Sequence, residues 1–241
     1  MAAIARGGSA VDAVVAAVVV LEDAPALNAG RGSYPNRDGI VEMDALVMEG
    51  RDLRAGAVAA VQGVRHPVEL ARLVMERTPH VLLVGEGAVQ IADEAGIERC
   101  SNEDLLIAGG PALSSDTVGA VAVDARGNVA CATSTGGIRD KLPGRVGDSP
   151  LVGCGGYADN AGAAVSATGD GEAFIRLVIS KRVSDAVAGG MAPQLACEEA
   201  LALLHTRLAA TGGLIALDVL GRPGIAWNTP AMPYAVARAP A

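Results

Sequence analysis

Two β-rich runs, residues 117–124 and 128–134, are separated only by Ala125-Arg126-Gly127. So short a connection with Gly in it makes an antiparallel hairpin, because parallel neighbours need a crossover of a dozen or more residues. A second hairpin closes the chain, 214–217 and 224–227 about Leu220-Gly221-Arg222-Pro223. Further strands are expected at 40–48, 55–61, 81–84 and 163–168. Helices are expected from Ser9 as N-cap to about Leu21, from His66-Pro67 to Arg77, at 86–95 before Gly96, at 172–188 and at 193–208. Hairpins and paired helices are not the β-α alternation of a doubly wound sheet. The order predicts an α+β chain forming one structural domain, with helices outside two stacked sheets. With only 1 Trp, 3 Tyr and 1 Phe in 241 residues, the core must be Ala, Val, Leu and Ile. The 31 Gly suit closely packed layers.

Net charge is −8, with no basic stripe and almost no aromatic side chains for stacking, which argues against nucleic acid as a partner. The longest apolar run, 13–21, is far short of a membrane span, and no secretory signal is recognisable. Cys100, Cys131, Cys154 and Cys197 form no CxxC spacing and read as buried thiols of a cytoplasmic protein. His66, His80 and His205 are scattered without ligand spacing, so neither zinc nor a cofactor is expected.

Residues 99–116 hold no sustained period and read as an exposed linker ending at Thr117. Locally, Asp116-Thr117 is the mouth of an ordinary strand. It is also where a nucleophile would be released if the bond between them broke. Thr117 would then carry its own base, since a free α-amine has a pKa of about 7.7–8.0 and sits on the same residue as the hydroxyl.

Four further groups admit both a structural and a chemical reading. Thr133 and Thr135 share one face of their strand and Ser134 takes the other, so Thr135 can lie beside Thr117 or simply belong to a β-rich run. Thr168-Gly169 ends a strand before a helix, which suits capping or an oxyanion hole. Arg145 and Asp148 lie three apart in a glycine-rich loop, as a surface ion pair or as a grip on the two ends of an amino acid. Asn28 sits in a turn cluster, Leu27-Asn28-Ala29-Gly30-Arg31-Gly32, that can also curl its carbonyls inward.

Taken together, GGSAVDAV, LEDAPALNAGRGS, HPVELARLVMERTPHVLLVGEGA, DTVGAVAVDARGNVACATSTGG, PGRVGDSPLVGCGGYADN and ATGDGE resemble the plant-type L-asparaginase / isoaspartyl peptidase family of N-terminal-nucleophile hydrolases, in order along nearly the whole chain. The resemblance implies a four-layer αββα sandwich, here without the family's first strand. It implies self-cleavage between Asp116 and Thr117 into an α subunit, 1–116, and a β subunit, 117–241. It makes Thr117 the nucleophile, with Thr135 and Asn28 beside it. Thr168 and Gly169 become the oxyanion pair, and Arg145, Asp148 and Gly171 the substrate contacts. It implies L-asparagine and β-aspartyl dipeptides as substrates and a homodimer of αβ units. It also implies a structural sodium on the carbonyls of Leu21, Glu22, Leu27, Ala29 and Arg31. The chain departs from the family pattern in Asp116, where glycine is commoner, and in Asp170, where His is common. Asp-Thr resembles the related glycosylasparaginases, while TSTGG and LNAG resemble the asparaginase branch. An uncleaved, non-catalytic relative is the reading from a different class.

Overall fold

A computed structural model describes residues 2–107 and 117–238. The first half contributes α1 (Ala2–Ala5), α2 (Ala10–Glu22), β1 (Met43–Glu49), β2 (Ala55–Val61), α3 (Pro67–Arg77), β3 (Leu82–Val84), α4 (Gly85–Ala95) and α5 (Asn102–Leu105). The second contributes β4 (Val118–Val123), β5 (Val129–Thr135), β6 (Gly156–Ala158), β7 (Ala163–Gly169), α6 (Gly171–Leu177), α7 (Ile179–Ala188), α8 (Pro193–Leu208), β8 (Gly212–Asp218) and β9 (Pro223–Trp227).

The strands form a 5-stranded sheet, β3-β2-β1-β5-β4, and a 4-stranded sheet, β6-β7-β8-β9. Only β2 and β3 pair in parallel; the other neighbours are antiparallel. Helices α2, α3 and α4 cover the outer face of the first sheet, α7 and α8 that of the second, and the sheets face each other through β4, β5, β6 and β7. This is the expected αββα sandwich. Both hairpins form: β4 and β5 run in the register Val118↔Ser134 to Val123↔Val129, and β8 pairs β9.

Small residues set how closely the layers approach. A Cβ on Gly119 of β4 would stand 2.0 Å from Ser166 Oγ of β7, so only glycine lets the sheets meet there. The layer between the sheets is correspondingly thin, built on Leu46, Met48, Ala57, Val129, Cys131, Tyr157, Ala158 and Ala164. Ser9 and Asp12 close a full capping box on α2, each accepting from the other's backbone N–H. Pro67 and Pro193 open α3 and α8, and Gly96 ends α4 at φ 71°.

Three local expectations are corrected. Residues 172–188 are two helices, with Val178 between them at φ 51°. No Gly or Pro marks the break; one local and two long-range hydrogen bonds hold it. Arg182 Nε donates to Leu177 O (2.6 Å), and Ser180 Oγ and Ser184 Oγ tie α7 to Cys154 O and Ala163 O. Of the stretch 99–116, residues 108–116 lie outside the described residues, and 99–107 are not uniformly irregular, for Ser101 and Asp104 form a second capping box on α5 and Leu105 is buried. The strand expected at 40–48 begins only at Met43, because Ile40 is exposed and Val41 makes only an isolated bridge to Pro35. Two short elements carried no sequence signal, β6 inside the glycine-rich stretch and α1.

Candidate active site

The site gathers at one end of the sandwich. Extending the β4–β5 register by one step sets Thr117 opposite Thr135. Strand β7 runs alongside β5 in the same direction. Asn160, just before β7, accepts from Val129 N at the start of β5 (3.0 Å), and Ser166 Oγ meets Thr133 Oγ1 at 3.1 Å. Thr168 and Gly169 therefore lie at the Thr117/Thr135 end. Asp116 is outside the described residues.

Thr117 is half-buried at the lip of β4, its Oγ1 3.4 Å from Ser149 Oγ. Thr135 is buried, and its Oγ1 accepts the Gly137 N–H (2.9 Å). Asn28 is fully buried and locks the same turn. Its Nδ2 donates to Gly137 O (2.6 Å), its carbonyl accepts from Gly136 N (2.9 Å), and its Oδ1 accepts from Tyr34 N (2.9 Å). Its Nδ2 and its backbone carbonyl thus both hold the Thr135-Gly136-Gly137 turn, so Asn28 bears on the site by keeping Thr135 in place. Gly169, at φ 146°, ends β7 opposite Gly212, and the Thr168 hydroxyl makes no hydrogen bond among the described residues.

Arg145, Asp148 and Gly171 also converge. A Cβ on Gly171 would stand 2.8 Å from Asp148 Oδ1 and 3.1 Å from Arg145 Nη2, so the bare backbone leaves room over both. Arg145 donates a fork through Nε (3.0 Å) and Nη2 (2.9 Å) to Glu172, whose carboxyl it holds below the usual range. Burial pushes the Asp148 carboxyl up to about 7, against the opposing pull of its own backbone N–H and of Arg145. Asp148 Oδ2 is buried with no hydrogen-bond partner among the described residues. An unpartnered buried carboxylate oxygen is costly, and an incoming ammonium would remove that cost.

Sequence reasoning missed Ser149 and Glu172. Both stand inside quoted motifs, GRVGDSP and ATGDGE, and a polar residue beside each named site residue was the available signal. In the 22–32 loop, Glu22 O accepts from Arg31 N (2.8 Å), and Glu22 O and Leu27 O lie against the bare backbones of Gly30 and Gly32. The Glu22 and Leu27 carbonyls therefore lie on the inside of the loop. Among the described residues no three His, Cys, Asp or Glu side chains cluster to hold a metal, and no helix is long and apolar enough to cross a membrane.

A family model described as asparaginase matches residues 1–109 and 108–241. The chain is 47% identical to an isoaspartyl peptidase/L-asparaginase of Danio rerio, over 97% of this chain and 81% of that protein. It is 45% identical to the Homo sapiens isoaspartyl peptidase/L-asparaginase over the same shares, and 48% identical to the Salmonella typhimurium isoaspartyl peptidase over 94% and 80%. With threonines, glycines and an Arg/Asp pair drawn to one end of an αββα sandwich, and matches of this extent, the chain belongs to the asparaginase family.

Proposed function

We propose that this protein is a self-processing amidohydrolase that converts L-asparagine to aspartate and ammonia and cleaves β-aspartyl dipeptides, with Thr117 as nucleophile. The observation that carries this reading is the Arg145–Asp148–Gly171 recess at the same end of the fold as Thr117, Thr135 and Thr168. It offers a cation for an α-carboxylate and a buried carboxylate oxygen lacking only an ammonium.

In the first reaction, Thr117 Oγ attacks the Asp116 carbonyl carbon and the Asp116–Thr117 C–N bond breaks. The nitrogen becomes the α-amine of Thr117, and water hydrolyses the ester. The chain is then two subunits, 1–116 and 117–241. In the second, the amine takes the Thr117 hydroxyl proton as the oxygen attacks the substrate side-chain carbonyl, and returns it to the departing ammonia or amino acid. Thr168 and the Gly169 N–H stabilise the oxyanion. Thr135 and Ser149 orient the nucleophile, while Asn28 keeps Thr135 in position. Water releases aspartate from the acyl-enzyme. Arg145 binds the substrate carboxylate from donors that the Glu172 fork does not use.

The main-chain carbonyls of Leu21, Glu22, Leu27, Ala29 and Arg31 would hold a sodium ion, whose place is to stiffen the loop carrying Asn28. The working unit is a homodimer of αβ pairs. Four cysteines without a disulfide suit a reducing compartment such as the cytoplasm.

Intact-mass spectrometry after warm incubation tests this reading. Two fragments meeting at Asp116/Thr117 are expected, with none from Thr117→Ala, and ammonia release from L-asparagine only by the cleaved form. A stable uncut wild-type chain would overturn it and leave the non-catalytic relative.

A further inference from the structure

The loop that carries Arg145 and Asp148 is hydrogen-bonded to the first half of the chain at Lys141 and at Gly144. The Arg37 N–H donates to Lys141 O (2.9 Å), and the buried Lys141 Nζ donates back to Glu42 O (2.6 Å). The Gly144 N–H donates to both carboxylate oxygens of Glu42 (3.2 and 3.0 Å). The Gly147 backbone and the Arg145 charge both favour the ionised form of the Asp44 carboxyl against its burial, so Asp44 lies beside the same loop. The Gly144 anchor falls immediately before Arg145, and Gly147, beside Asp44, immediately before Asp148.

Asp44 joins this loop to the sheet. It is fully buried on β1, opposite Thr135 in the β1–β5 ladder. Its Oδ1 also accepts the Ala60 N–H (2.9 Å), where β2 bulges and Ala60 is forced to φ 51°. Lys141 and Arg145 supply the neighbouring positive charge. Oδ2 has no hydrogen-bond partner. A buried carboxylate is an expensive filler for a sheet interior. Its arrangement makes sense if its work is orientation, because a grip must be held to a fraction of an ångström.

We propose that Glu42 and Asp44 are positioning residues for substrate binding, fixing the 141–148 loop so that Arg145 and Asp148 face the two ends of one amino acid. This rests on the reading of Arg145 and Asp148 as the grip. It makes affinity for the amino acid depend on residues before the cleavage point that never touch it.

The test uses Glu42→Gln and Asp44→Asn, both near-isosteric, with Arg145→Lys and Asp148→Asn as references. Cleavage at Asp116/Thr117 should persist in the two positioning variants. The KM for L-asparagine should rise about tenfold, the equivalent of one charged hydrogen bond at the low end of its range. The kcat should stay within about threefold, and the dissociation constant for L-aspartate by calorimetry should rise in step with KM. A lowered melting temperature with KM and L-aspartate affinity unchanged would make these carboxylates purely structural and overturn the proposal. If only the reference variants lose L-aspartate binding, the positioning role falls and the grip stands. If the references bind L-aspartate like wild type, the grip falls and this inference with it. Should Asp44→Asn fail to fold, Glu42→Gln decides the matter alone.

Discussion

Replacing Glu22 by Gln should make the protein more stable at alkaline pH and leave it nearly unchanged in acid. Glu22 ends α2 and is completely buried. Its Oε1 accepts from Ser134 Oγ (2.6 Å) and from Val68 N (3.1 Å), while Oε2 has no hydrogen-bond partner among the described residues. Burial pushes its carboxyl from 4.5 up to about 8, opposed by the Ser134 and Val68 donors. The native state thus keeps a proton that the unfolded chain loses as pH rises above 4.5. Stability must fall through the window from about 4.5 to 8, and the full penalty is present above it. At about 1.4 kcal/mol per pH unit, the interval from pH 5 to pH 7 alone costs on the order of 2–3 kcal/mol. Glutamine keeps the Oε1 acceptor and sets an NH2 where the acid has its OH, so it mimics the protonated form at every pH. Urea unfolding in a Thr117→Ala background, which keeps one covalent chain, measures this. Glu22→Gln should match its parent at pH 5 and exceed it at pH 8, and other titrating groups such as Asp148 cancel in the comparison. Parallel stability curves for the two proteins would refute the argument.

Gly171→Ala places a methyl 2.8 Å from Asp148 Oδ1 at the start of α6. That contact must push the Asp148 side chain aside, so KM for L-asparagine should rise about tenfold or more. A KM equal to wild type would show that Gly171 does not face the substrate. Thr135→Val strips the acceptor from the Gly137 N–H, at a cost of about 1–3 kcal/mol in stability. It should lower kcat about tenfold or more with little change in KM; normal turnover would remove Thr135 from the site.

The local elements were largely legible. The capping box at Ser9, Pro67 and Pro193 at helix starts, Gly96 at a helix end and the Ala125-Arg126-Gly127 connection all work within a few residues, where sequence and geometry are nearly the same thing. The break at Val178 was not legible, because no residue there prefers the left-handed region. Ser180 and Ser184 reach across to Cys154 and Ala163, Arg182 holds the Leu177 carbonyl freed at the break, and together they outweigh a continuous helix. In the site, the Thr, Arg and Asp positions lay in motifs dense enough to point to. Ser149 and Glu172 passed unnoticed because their importance is a distance, not a pattern.

By itself the sequence determined an α+β chain with two hairpins, a small-residue core and the side chains able to do amide chemistry. Those properties follow from periodicity, turn residues and composition, which act over a few neighbouring positions. Only the tertiary structure decided that Asn28 holds the turn beyond Thr135, that Glu172 occupies the Arg145 fork and that Asp148 and Asp44 are buried with an oxygen unpartnered. Each depends on residues distant in the chain meeting at the end of two stacked sheets. Burial, which sets what a carboxylate does, is a property of the packed layers.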